Sequence, residues 1–142
     1  MRGFHYNVQM KRSVGPVAVG TTGTGTTGKI VDRKGFRDVE FILGYGAITA
    51  TNATFTVIAK EGDVTGTMTS IADADLDGTE SAAGIAAGTP RTSDSNKLVT
   101  KRLGYRGTKR YVQLIIKSTI TAATPVFGGV LMGRPEAAPV AT

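Results

Sequence analysis

The chain of 142 residues has no cysteine, no tryptophan and a single histidine. Without cysteine there can be no disulfide framework, no thiolate metal site and no thiol nucleophile. With His5 as the sole imidazole, a histidine-rich zinc site has too few nitrogen ligands. A Ser-His-Asp triad would have to recruit His5 from a basic N-terminal segment. None of Ser13, Ser70, Ser81, Ser93, Ser95 or Ser118 stands in a nucleophile-elbow context. Long apolar runs are absent as well, all far short of the ~20 residues a spanning helix needs. The opening MRGFHYNVQMKRSVGP carries cations but no apolar h-region, so it does not read as a secretory signal. Aromatic residues make up only 6% of the chain, so platforms for stacking bases or sugars are sparse. The expectation is a chain that is not an enzyme, with no catalytic residues, no metal ligands, no cofactor, no membrane contact and no specific nucleic-acid site.

What the chain does have is glycine, 19 residues of it, together with abundant threonine, alanine and valine. Threonine and valine suit a pleated, half-buried surface, and glycine marks turns and bulges. The composition predicts an all-β protein. In residues 1–19, Phe4, Tyr6, Val8 and Met10 alternate with polar positions, which fits an edge strand or an arm lying on a neighbour. Strands are predicted at Phe36 to Leu43, with Val39, Phe41 and Leu43 facing inward and Gly44-Tyr45-Gly46 as a break. A second is predicted at 53–61, with Phe55, Val57 and Ala59 inward. Further strands are expected at 67–72, 96–103, 109–120 and Thr124 to Met132. Residues 73–95 read as a long excursion with a weak helical turn near Ala82 to Ala87. Seven or eight short strands at roughly ten-residue spacing predict a jelly-roll-like β-sandwich. Its domain would span 20–135, with an N-terminal arm or edge strand over 1–19 and a Pro/Ala-rich tail over 136–142.

Two motifs imitate ligand loops. Gly23-Thr24-Gly25-Thr26-Thr27-Gly28-Lys29 follows a phosphate-loop spacing. But Ile30-Val31-Asp32 after it is strand-like, and Ile30 stands where a magnesium-binding hydroxyl belongs. It reads as a plain glycine–threonine loop. Asp73-Ala74-Asp75-Leu76-Asp77-Gly78 opens like a calcium loop, yet its twelfth position is Gly84 instead of a bidentate glutamate. It reads as a solvated acidic turn.

The charge is uneven. Lys+Arg number 17 against 11 Asp+Glu, a formal net charge of +6. The cations gather at Arg2 to Arg12 and at Lys97 to Lys117. The second cluster includes LGYRGTKRYVQLII, a glycine-punctuated turn followed by a strand-like run. Such a turn presents Arg106, Lys109 and Arg110 to a partner, and Arg2, Lys11 and Arg12 would do the same from the N-terminal segment. These six are the candidate partner-binding residues.

One resemblance bears on that turn. The segments Ile30-Val31-Asp32-Arg33-Lys34-Gly35-Phe36, Val39-Glu40-Phe41 and Gly104-Tyr105-Arg106-Gly107-Thr108-Lys109-Arg110-Tyr111-Val112, with Gly133-Arg134-Pro135, resemble small virion proteins encoded beside the major capsid protein of tailed bacteriophages. These are the head decoration, cement or auxiliary capsid proteins. The resemblance spans most of residues 28–135 and leaves out the acidic loop and the basic N-terminal segment. It implies a β-sandwich or jelly-roll subunit without catalytic residues, made in the bacterial host cytoplasm and located on the capsid surface of the virion. Its implied partners are the major capsid protein and further copies of itself, as trimers. Two alternatives stay open: a tail or neck component of the same fold, and a host-glycan-binding module using Tyr45 and Tyr105.

Overall fold

A computed structural model of the protein describes residues 3–19, 25–48, 53–86, 98–118 and 124–137. Its strands are β1 (Val8–Val19), β2 (Thr26–Thr27), β3 (Val31–Asp32), β4 (Phe36–Tyr45), β5 (Phe55–Val64), β6 (Thr67–Ser70), β7 (Leu76–Asp77), β8 (Thr100–Tyr105), β9 (Tyr111–Ser118) and β10 (Thr124–Pro135). A one-turn helix, α1 (Glu80–Ala83), is capped by the Thr79 side chain, which accepts from the Ala82 amide.

The alternation seen in the sequence becomes two-faced strands. Val39, Phe41, Leu43 and Tyr45 of β4 are buried, as are Phe55, Val57 and Ala59 of β5. With Leu103, Val112, Leu114, Ile116, Val126, Val130 and Met132 they form one continuous apolar core between two sheets. The first sheet runs β1-β10-β4-β8-β7 and the second β2-β9-β5-β6, with β3 also pairing β9. All the pairings are antiparallel.

β2 and β3 both pair with β9 and act as one interrupted strand. Leaving aside the two-residue β7, the chain then lays eight strands into spatial orders 1-8-3-6 and 2-7-4-5. That is the double Greek key of a jelly roll, so the expected fold class holds.

Residues 8–19 are the edge strand β1, paired along β10, which is one of the two readings left open for 1–19. Several other local expectations are revised. β4 does not break at Gly44 but continues to Tyr45, because Gly44 is paired on both sides, to Phe127 and to Thr100. The strand expected from residue 96 begins at Thr100, after Leu98 with φ at 58°. The helical turn expected near Ala82 to Ala87 is α1, slightly earlier. Residues 136–137 are a bend after β10, and most of the expected tail lies outside the described residues.

The side of the sandwich between β1 and β3 is closed by Ser13. Its hydroxyl is buried, donates to the Lys29 carbonyl at 2.8 Å and accepts from the Leu114 amide at 3.1 Å. The Lys29 amide returns a bond to the Ser13 carbonyl at 2.7 Å. Gly28 permits this approach, since a Cβ there would lie 2.4 Å from Ser13 Oγ. The phosphate-loop lookalike therefore ends as a structural clasp, with Gln113 Nε2 donating to the Gly28 carbonyl at 2.6 Å.

Candidate functional site

The register places the ends of β3, β5, β8 and β9 together at one end of the sandwich. Three connections meet there: residues 33–35, 65–66 and 106–110. The glycine-rich cationic turn is thus a corner braced by its neighbours.

Tyr105, the last residue of β8, is the post of this corner. Its ring is buried and its hydroxyl donates to Glu61 Oε2 at 2.5 Å while accepting from the Lys109 amide at 3.0 Å. Burial, and then the Glu61 carboxylate, push the phenol well above its ordinary range. The Arg33 guanidinium lies 5.4 Å from the Tyr105 ring centroid. The same guanidinium donates to the carbonyls of Lys109, Gly107 and Phe36. One side chain thereby gathers the carbonyls of two turn residues and of the first residue of β4. Gly107 is required by contact: a Cβ there would sit 2.5 Å from Tyr105 ring atoms.

The three cations of the turn find their carboxylates inside the chain. Arg106 Nε lies 2.9 Å from Asp77 Oδ1 and Lys109 Nζ lies 2.6 Å from Asp63 Oδ2. Arg110 grips Asp32 at two points, Nε to Oδ1 at 3.1 Å and Nη2 to Oδ2 at 2.7 Å. That hydrogen bonding to Arg110 is the main reason the Asp32 carboxyl falls to about 2. The Lys109 ammonium likewise holds Asp63 below the usual carboxylate range. Arg106, Lys109 and Arg110, expected to reach for carboxylates on a partner, are in this structure engaged within the subunit.

The N-terminal candidates fare differently. Arg2 lies outside the described residues. Lys11 turns sideways from β1, its Nζ 3.4 Å from the Asp32 carbonyl. Arg12 pairs across to Gly129 on the outer face of the first sheet, exposed, with no ionic partner among the described residues. The six candidates therefore do not form one patch.

Sequence reasoning missed Arg33 as a brace; only the fold shows how many carbonyls converge on it. It also passed over the outer face of the first sheet. Alternation with Val39, Phe41 and Leu43 turns Ile42 outward beside Asp38 and Glu40, and an outward isoleucine is the available signal.

The Asp73 to Gly78 segment is a 3-10 turn followed by β7, and Asp77 is committed to Arg106. Among the described residues, no three His, Cys, Asp or Glu side chains gather as a metal-binding group. Nor is any helix long and apolar enough to cross a membrane. Tyr45 and Tyr105 are 2% and 4% exposed, and the Tyr45 hydroxyl donates to the Ala83 carbonyl at 2.9 Å. The two rings cannot serve as a sugar-stacking pair, which corrects that expectation.

No family model and no curated protein matches the chain. Among solved structures it resembles an N-terminal endo-1,4-beta-D-xylanase 10B of Clostridium thermocellum, comprising CBM22-1 and GH10 modules complexed with xylohexaose. That likeness has 11% identity and a TM-score of 0.46, and covers 98% of this chain but 29% of that one. A Bacillus endospore appendage, from a family of disulfide-linked pili, matches at 17% identity and a TM-score of 0.37 over 91% of this chain and 89% of the other. A structure of infectious bursal disease virus, Gx strain, matches at 12% identity and a TM-score of 0.33 over 90% and 42%. Likenesses this distant carry no function across. The chain is placed by its own topology, as a jelly-roll β-sandwich.

Proposed function

We propose that this chain is a structural virion subunit that binds the outer surface of a tailed-phage capsid, associates there as trimers, and stiffens the shell without a catalytic step. The observation that carries the reading is the corner itself. The residues that resemble phage decoration proteins, Gly104 to Val112, are those that Tyr105, Arg33 and the paired carboxylates lock together. A motif held by internal geometry is the kind a structural subunit family would share. The mechanism is interfacial burial, repeated over many copies. A stable contact of this type buries on the order of 1,200–2,000 Å² in total. Because the subunit has a net charge of +6, salt weakens its approach to an acidic shell.

The test mixes purified protein with expanded heads lacking it and with unexpanded proheads, then pellets each. Saturable binding to expanded heads alone is the expected result. Absence from both pellets, with the protein found in tails, would overturn the capsid reading in favour of a tail or neck component. Sedimentation of the free protein adds a second readout: three-fold assembly fits the head, six-fold the neck or tail.

A further inference from the structure

The outer face of the β1-β10-β4-β8 sheet is unlike an ordinary solvated sheet face. Cross-strand pairing sets Met10 beside Leu131, and Leu131 beside Glu40. One row on, Arg12, Gly129, Ile42 and Arg102 stand side by side across four strands. Phe127 lies in the next row, and its ring leans over Gly129, where a Cβ would come within 3.0 Å of Phe127 Cε1. Met10 is 58% exposed, and Ile42, Leu131 and Phe127 are half-buried. The 3-10 turn Phe4–Asn7 borders the Leu131 end, where Phe4 lines a pocket with Leu131 and Glu40, and extends the apolar surface at that edge. An apolar centre of aromatic, methionine and aliphatic side chains with arginine at its flank is the composition of a protein–protein contact.

The charges on this face select the occupant. Its carboxylates Asp38, Glu40 and Asp77 already hold Arg134, Arg102 and Arg106. Among the described residues Arg12 holds no carboxylate, and Arg102 is only loosely tied, 3.7 Å from Glu40 with its side chain 85% exposed. A second copy docked face to face would bring the same +6 charge and the same committed carboxylates of this face, so it would set cation against cation and leave Arg12 unpaired. We infer that this face docks an acidic surface of a different protein, with Phe127, Ile42, Leu131 and Met10 as the apolar centre and Arg12 and Arg102 as the cationic flank. The inference rests on the capsid-binding reading and moves the contact from the braced corner to the sheet.

The experiment uses the full chain and two double variants, Arg12→Glu with Arg102→Glu on the face, and Lys109→Gln with Arg110→Gln at the corner. Circular dichroism confirms that each is folded. In pelleting with expanded heads, the face variant is expected to weaken binding by about tenfold or more, as reversing contact charges does. The corner variant should stay within about twofold of the unaltered chain, since its exposed pairs contribute little. The reverse pattern, or equal binding by all three, overturns the inference and leaves the capsid reading standing. If the unaltered chain does not pellet with heads, that reading fails, and poly-L-glutamate titrated into isotope-labelled protein decides the face separately. Amide shifts at Met10, Arg12, Ile42 and Arg102 uphold an acid-docking face. Shifts confined to residues 106–110, or none, overturn it. Self-association of the free chain that the face variant abolishes would assign the surface to a second copy and also overturn it.

Discussion

Arg110 and Asp32 are 78 residues apart in sequence, yet the guanidinium meets the carboxylate at two points, 3.1 Å and 2.7 Å. The contact joins the start of β9 to the end of β3, where Asp32 and Tyr111 are already register partners. It fixes the last residue of the cationic turn against the interrupted edge strand, and Lys11 adds its ammonium to the Asp32 carbonyl.

This pairing predicts acid sensitivity. Hydrogen bonds with Arg110 depress the folded-state pKa of Asp32 to about 2, from an ordinary 3.8. Asp38 and Asp63 are lowered in the same direction by Arg134 and Lys109. A depressed carboxylate contributes stability that is fully present above its unfolded pKa and is lost as pH falls through the folded one. Urea midpoints should therefore hold steady above about pH 5 and decline between about pH 4 and 2. In Asp32→Asn the decline should be shallower. An identical slope in that variant would remove Asp32 from the account.

Ser13→Ala should be strongly destabilising for so small a change. It removes one hydroxyl that serves two backbone groups, the Lys29 carbonyl and the Leu114 amide, in a buried setting. Leaving such groups unpaired costs about 1–3 kcal/mol, readable as a lowered urea midpoint with an unchanged slope. A neutral result would mean that water replaces the hydroxyl.

At the corner, Gly107→Ala forces a methyl against the Tyr105 ring, a 2.5 Å approach. Overpacking of this kind costs about 1–3 kcal/mol. Tyr105→Phe keeps the ring and loses only the bonds to Glu61 and the Lys109 amide. It should cost about 1 kcal/mol, with faster amide exchange at Lys109 as its local signature. If the two variants fall in the opposite order, the ring contact does not limit residue 107.

Thr124 offers a stabilising change. Its hydroxyl oxygen is buried without a hydrogen-bond partner among the described residues. Thr124→Val replaces it with a methyl of similar shape, and thermal unfolding should shift upward by a few degrees, equivalent to about 1 kcal/mol. A lower midpoint would reveal a partner for that hydroxyl in solution.

Much of the fold was legible in the chain because strand faces follow a period of two. Val39, Phe41 and Leu43, and Phe55, Val57 and Ala59, announce their buried faces without reference to anything distant. Glycine and threonine content announced the all-β class, and the strand spacing announced a jelly-roll-like sandwich. The phosphate-loop lookalike could be set aside from the strand that follows it. The cations of the turn were visible too, but not their partners. Asp63 and Asp77 lie far away in sequence, and only strand order brings β5 and β7 to the same end as residues 106–110. Gly44 could not be read as a strand residue, since its place depends on pairing with both β10 and β8. The outer sheet face is likewise a tertiary fact. Met10, Ile42, Arg102 and Phe127 belong to four separate strands, and register alone sets them on one surface. Which side chains turn inward follows from the order of residues along each strand, because alternation and burial are local matters. Which charges are neutralised and which, like Arg12 among the described residues, remain open is a matter of topology, because ion pairing depends on distances that only the folded chain creates.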